Sequence, residues 1–150
     1  MLRAMHFTLV DRVIERSADR AVAIKCVSLA EEYLQDHFPG FPVLPGVLML
    51  EAMVETARAV PVDEEDPAGL PLVLGRVRGL KYGRFVTPGS TIRIEVARRA
   101  DGEFSGRVLV VEADGSAGGV AAMGRFGLRR VRGCGTEAGA TLQETRGGGV

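Results

Sequence analysis

Prolines at positions 39, 42 and 45 run straight into 47–59, a stretch of good helix formers that opens with the apolar run Val47-Leu48-Met49-Leu50. Each proline fixes its own φ and biases the residue before it away from helical geometry, so the 37–45 segment is expected to be extended and stiff. A helix that is apolar all round is a buried helix. Pro61 ends it. The chain therefore commits early to one rigid loop feeding one buried helix.

The remaining sequence reads mostly as strand. Residues 20–28 alternate β-branched and polar positions, after which Ser28 can cap a short helical turn through Ala30, Glu31, Glu32 and Tyr33. Beyond the acidic loop Asp63-Glu64-Glu65-Asp66-Pro67 come strand-like runs at 70–82, 90–100, 103–113 and 119–130. Turn signals separate the later ones at Thr87-Pro88-Gly89, Asp101-Gly102 and Asp114-Gly115. One buried helix followed by an antiparallel meander is an α+β pattern in which the sheet wraps the helix. Residues 133–150 are glycine-rich and without periodicity, which predicts a disordered tail behind a single domain at 1–132.

Composition removes several functions. With 19 basic and 19 acidic residues in 150, the chain has no global basic footprint for nucleic acid. No apolar stretch approaches the length of a membrane span, and the start lacks the apolar core of a signal peptide, so the expected address is the cytoplasm. Cys26 and Cys134 lie far from each other in sequence and from any histidine, which gives no support to a zinc site or a disulfide framework. Cys26 reads as a buried thiol in a strand.

Two residues carry the chemistry. His37, one of only two histidines, stands at the mouth of the proline loop, and Glu51 stands fourteen residues later inside the apolar helix. Imidazole titrates nearest to working pH, and a carboxyl group enclosed by aliphatic side chains is pushed toward its protonated form. A base and an acid could thus coexist near neutrality. Against this stands a plainer possibility, in which Glu51, Glu55 and Arg58 form a solvated helical stripe with an i,i+3 ion pair, but the stripe continues into Val47 and Leu48. His6 has no motif around it and reads as a surface residue.

The run from His37 to Glu51, with its PxxPG loop, resembles the signature of the FabZ-type 3-hydroxyacyl-acyl carrier protein dehydratases. The likeness extends from about Phe7 through Val131, since 80–90 is similar to that family's later strand and PG turn. The resemblance implies the hot-dog fold, an antiparallel sheet around a long central helix. It implies that His37 removes the C2 proton of a 3-hydroxyacyl thioester and that Glu51 protonates the departing hydroxyl. It places Gly46, flanked by Pro45 and Val47, at the substrate-binding turn whose backbone amide holds the thioester carbonyl. A helix N-terminus suits that task, because its amides are unpaired and sit at the positive end of the dipole. Glycine there leaves room for the substrate to approach.

The same resemblance implies a homodimer in which His37 of one subunit meets Glu51 of the other, with a trimer of dimers as the larger assembly. It implies acyl carrier protein as partner and neither metal nor redox cofactor. The cations Arg76, Arg78, Lys81, Arg84, Arg129, Arg130 and Arg132 are then candidates for steering an acidic carrier. The chain departs from the family pattern at Asp36, Phe41, Glu55 and Phe85, where glycine, a polar residue, glutamine and proline are frequent. A second carboxylate one turn from Glu51 is expected to perturb it. Two other readings remain open: a hot-dog thioesterase, and a subunit that binds acyl groups without turnover.

Overall fold

Period-two alternation and three glycine turns build most of the sheet. The structure, a computed structural model, describes residues 8–62 and 72–131. Its elements are β1 (Arg12–Arg16), β2 (Arg20–Cys26), a single 3-10 turn (Glu32–Leu34), α1 (Gly46–Ala57), β3 (Leu72–Tyr82), β4 (Thr91–Arg98), β5 (Phe104–Val111) and β6 (Ala117–Arg130). The six strands form one antiparallel sheet in the order β1-β2-β4-β5-β6-β3. β4, β5 and β6 are a meander, and the turns between them carry positive φ at Gly102 and Gly115. The chain leaves β2 near one edge, crosses the sheet as α1, and returns as β3 at the far edge. That crossing is what wraps the sheet around the helix.

The core lies between α1 and the concave face. Met49, Leu50, Ala52, Met53, Val54 and Ala57 of α1 are buried, as are Ala21 and Ala23, Ile92, Ile94 and Val96, Val108 and Val110, and Ala122 and Phe126 on the strands. Strand positions facing the helix alternate with charged ones facing away, so Glu95 sits between Ile94 and Val96. Phe104 and Phe126 stack with centroids 5.8 Å apart, which closes the end of the core near the β4–β5 turn.

Several expectations need correction. α1 is not buried all round: Val47 is 67% exposed, because the stripe through Val47, Glu51 and Arg58 faces away from the chain's own sheet. β1 was not expected; it is a short edge strand, exposed along its length and bulged between Val13 and Glu15, so it lacks a buried alternating face. Cys26 is exposed rather than buried, since it closes β2 on the outward face. The acidic stretch at 63–67, His6, Arg132, Cys134 and the glycine-rich end at 133–150 lie outside the described residues.

Candidate active site

The site begins with the turn that delivers His37. Lys25, buried on β2, reaches Glu31 at 2.6 Å and Asp11 at 4.0 Å. Tyr33 donates its hydroxyl to the other oxygen of Glu31, and burial together with that carboxylate pushes the phenol above its ordinary range. A buried ammonium is retained only with a counterion, so Glu31 clamps the 3-10 turn onto the sheet. His37 follows that turn directly.

The proline loop is stiff, but it reverses instead of extending. Phe38 and Phe41 exchange backbone hydrogen bonds at 3.0 Å in each direction, around Pro39-Gly40, and Gly40 takes φ 75°. Proline followed by a residue at positive φ is the requirement of a type II turn, which Pro-Gly satisfies best. The expectation of an extended segment is therefore corrected by its own turn chemistry. Val43 N–H then bonds to His37 O at 2.8 Å, and Leu44 N–H to Val86 O at 2.8 Å, which ties the loop to the segment after β3.

These constraints fix the imidazole. His37 Nδ1 lies 2.9 Å from the carbonyl oxygen of Val43, with the ring half-buried. A carbonyl only accepts, so Nδ1 carries the proton and Nε2 of the neutral ring keeps its lone pair. The ring also stacks on Phe38, centroids 4.3 Å apart and planes 27° apart. Nε2, the other ring nitrogen, makes no hydrogen bond among the described residues.

Pro45 precedes α1, and its carbonyl accepts the N–H groups of Leu48 at 3.0 Å and Met49 at 3.3 Å. The amides of Gly46 and Val47 precede the first intrahelical bond and take no acceptor among the described residues. The reason for glycine at 46 is corrected here. A Cβ on Gly46 would stand 2.5 Å from Cε1 and 2.6 Å from Cζ of Tyr82. The space is filled by the chain's own ring and not left for substrate.

Glu51 and His37 share no hydrogen bond or ion pair within the chain. Glu51 instead meets Arg58, two turns along α1, at 3.3 Å, and its side chain is 42% exposed. The aliphatic enclosure expected around it is not supplied by its own subunit. Glu55, expected to perturb Glu51, turns elsewhere: its Oε2 accepts the backbone N–H of Leu9 at 2.8 Å and anchors the segment before β1.

Sequence reasoning missed the roles of Phe38 and Tyr82, and it expected an i,i+3 ion pair for Arg58, whereas the structure pairs Arg58 with Glu51. Phe38 was within reach, as the neighbour of His37 in sequence. Tyr82 was not, because a bulge between Arg78 and Lys81 breaks the alternation that would have told which face it occupies. Among the described residues no group of His, Cys, Asp and Glu could hold a metal ion, and no helix is long and apolar enough to cross a membrane.

Residues 2–124 match the model of the FabA-like domain. The chain is 40% identical over 111 residues to the 3-hydroxyacyl-[acyl-carrier-protein] dehydratase FabZ of Chloroflexus aggregans, covering 71% of this chain and 77% of that one. It is 42% identical over 109 residues to the enzyme of the same name from Thermus thermophilus, covering 69% and 77%. Among solved structures, the dehydratase heterocomplex ApeI:P from Xenorhabdus doucetiae superposes with a TM-score of 0.63 at 16% identity, over 81% of this chain and 96% of that one. A trans-AT polyketide synthase dehydratase domain from Brevibacillus brevis gives 0.61 at 18% identity, over 83% and 46%. The fold is the hot-dog fold. The chain belongs to the FabA-like family, on its FabZ-type dehydratase branch.

Proposed function

We propose that the protein eliminates water from 3-hydroxyacyl-carrier protein thioesters to give the trans-2-enoyl thioester, reversibly, in fatty-acid or related synthesis. His37 Nε2 takes the C2 proton. Electron density moves onto the thioester carbonyl, whose oxygen accepts from the Gly46 amide, with Pro45 and Val47 shaping the turn around it. The C2–C3 double bond then forms as the C3 hydroxyl leaves, protonated by Glu51. The proton gained by His37 and the one lost by Glu51 balance over a turnover. The observation that carries this reading is the Nδ1 bond of His37 to Val43 O, which leaves Nε2 as a base.

The acid in this reading comes from a second copy of the chain. Three features favour that: the absence of a His37–Glu51 contact within one subunit, the open stripe of α1 at Val47 and Glu51, and the unpaired edge of β3. A homodimer is the minimal assembly, with a trimer of dimers built on it, and a cytoplasmic setting fits the acyl carrier protein as partner. The cations proposed for steering differ in their partners. Arg76 and Arg78 each lie 3.7 Å from Glu103 and Arg84 lies 2.6 Å from Glu112, whereas Lys81 is unpaired among the described residues.

The test is spectrophotometric interconversion of a 3-hydroxyacyl thioester and its trans-2-enoyl counterpart. His37→Ala and Glu51→Gln are each expected to abolish it, and mixing the two unfolded and co-refolded variants is expected to restore part of it. Turnover retained in His37→Ala overturns the assignment. Release of free thiol without change in the enoyl absorbance would make the protein a thioesterase, and thioester binding without either would make it a binding subunit.

A further inference from the structure

Tyr82 closes β3 beside the start of α1. Of its ring atoms, Cε1, Cζ and Cδ1 come nearest to the space above Gly46, at 2.5, 2.6 and 3.0 Å from a Cβ built there. The Cδ1–Cε1–Cζ edge of the ring therefore lies against the helix start, and the hydroxyl is carried on the Cζ of that edge. Its backbone is fixed on both sides: Tyr82 pairs with Ala122 in the sheet, and the amides of Gly83 and Arg84 donate to Ala121 O at 3.0 Å and Val120 O at 2.9 Å. The residue is 51% exposed, and its hydroxyl makes no hydrogen bond among the described residues. The other described tyrosine, Tyr33, has its hydroxyl engaged by Glu31. The molecule thus holds a free phenol donor against a helix start whose first two amides are also free.

Resting on the dehydratase reading above, we propose that Tyr82 is a second donor to the thioester carbonyl, its O–H converging with the Gly46 N–H on the oxygen that becomes an enolate. A carbonyl oxygen has two lone pairs, and one backbone amide satisfies one of them. As the C2 proton leaves for His37, charge accumulates on that oxygen, and a fixed donor there stabilises the transition state more than the ground state. The ring edge against Gly46 excludes water from the same side. This gives Gly46 and Tyr82 a joint role: the missing side chain at 46 admits the ring, and the ring brings the hydroxyl.

The experiment compares the wild type with Tyr82→Phe, which keeps the ring and removes only the O–H. Two readouts are taken: kcat and KM for dehydration, and the infrared carbonyl band of a bound trans-2-enoyl thioester. Loss of an oxyanion donor predicts a fall in kcat of roughly 10²-fold with KM little changed, together with a shift of the carbonyl band to higher wavenumber. Unchanged kcat and an unchanged band in Tyr82→Phe overturn the proposal and leave the ring as a wall. If the wild type binds thioester without turning it over, the dehydratase reading fails while the carbonyl band still decides the role of Tyr82. A wild type that binds no thioester overturns both.

Discussion

The rings of Phe41 and Phe85 meet edge to face, with centroids 6.1 Å apart and planes at 89°. The resemblance marks both positions as departures from the family pattern, one in the proline loop and one after β3, and the structure joins them. The two departures therefore act as one feature, an aromatic clasp parallel to the Leu44–Val86 backbone bond. Phe41→Ala and Phe85→Ala are expected to be non-additive, with a coupling of about 0.5–1.5 kcal/mol in a chemical-denaturation cycle. Strict additivity would show that the clasp holds nothing.

Gly46→Ala forces a methyl group into the Tyr82 ring. Overpacking of that kind costs about 1–3 kcal/mol. Tyr82→Ala introduced into the Gly46→Ala background is expected to recover most of the lost stability, read from urea midpoints. If the two substitutions instead add, the ring moves aside at no cost and the fit at the helix start is loose.

Glu31→Gln removes the counterion 2.6 Å from the ammonium of Lys25, whose side chain is only 5% exposed. Breaking one side of a buried pair costs about 3 kcal/mol. Because the clamped turn leads into His37, kcat is expected to fall alongside stability, and Lys25→Met in the same background is expected to restore stability without restoring kcat. Full activity in Glu31→Gln would mean that the proline loop positions the imidazole unaided.

Glu95 gives a pH signature outside the site. Burial raises its carboxyl pKa, but hydrogen bonds from Arg93 and Arg107 outweigh that and hold it below the usual carboxylate range. A depressed folded-state pKa contributes stability that is present above the unfolded value of about 4.3 and is lost as pH falls through the folded one. The stability gap between wild type and Glu95→Gln is therefore expected to be widest at neutral pH and to narrow as pH falls through the acid range. Thermal melts across pH 7 to 3 measure it, and a constant gap would refute the assignment.

The helix, five of the six strands and the glycine turns were legible in the sequence, because each rests on local alternation or on a residue with special φ. His37 and Glu51 stood out as candidates through the residues around them, and Gly46 through the family resemblance. What stayed hidden depends on long-range fit. β1 has no buried face to betray it, the bulge near Gly79 scrambles the parity that would have turned Tyr82 toward α1, and the exposure of Glu51 depends on which faces of α1 the sheet leaves uncovered. The reversal at Pro39-Gly40 was legible in the dipeptide itself, yet the rule for residues preceding proline favoured an extended loop.

The proton on His37 is assigned by the carbonyl of Val43, an atom of the main chain. Every amino acid supplies that carbonyl, so substitution at 43 can alter packing but cannot delete the acceptor. A side-chain partner, such as the carboxylate that orients histidine in many hydrolases, can be lost by a single codon change. Here the instruction that selects the basic nitrogen is written in backbone conformation, and the prolines that hold that conformation are where mutational vulnerability is concentrated.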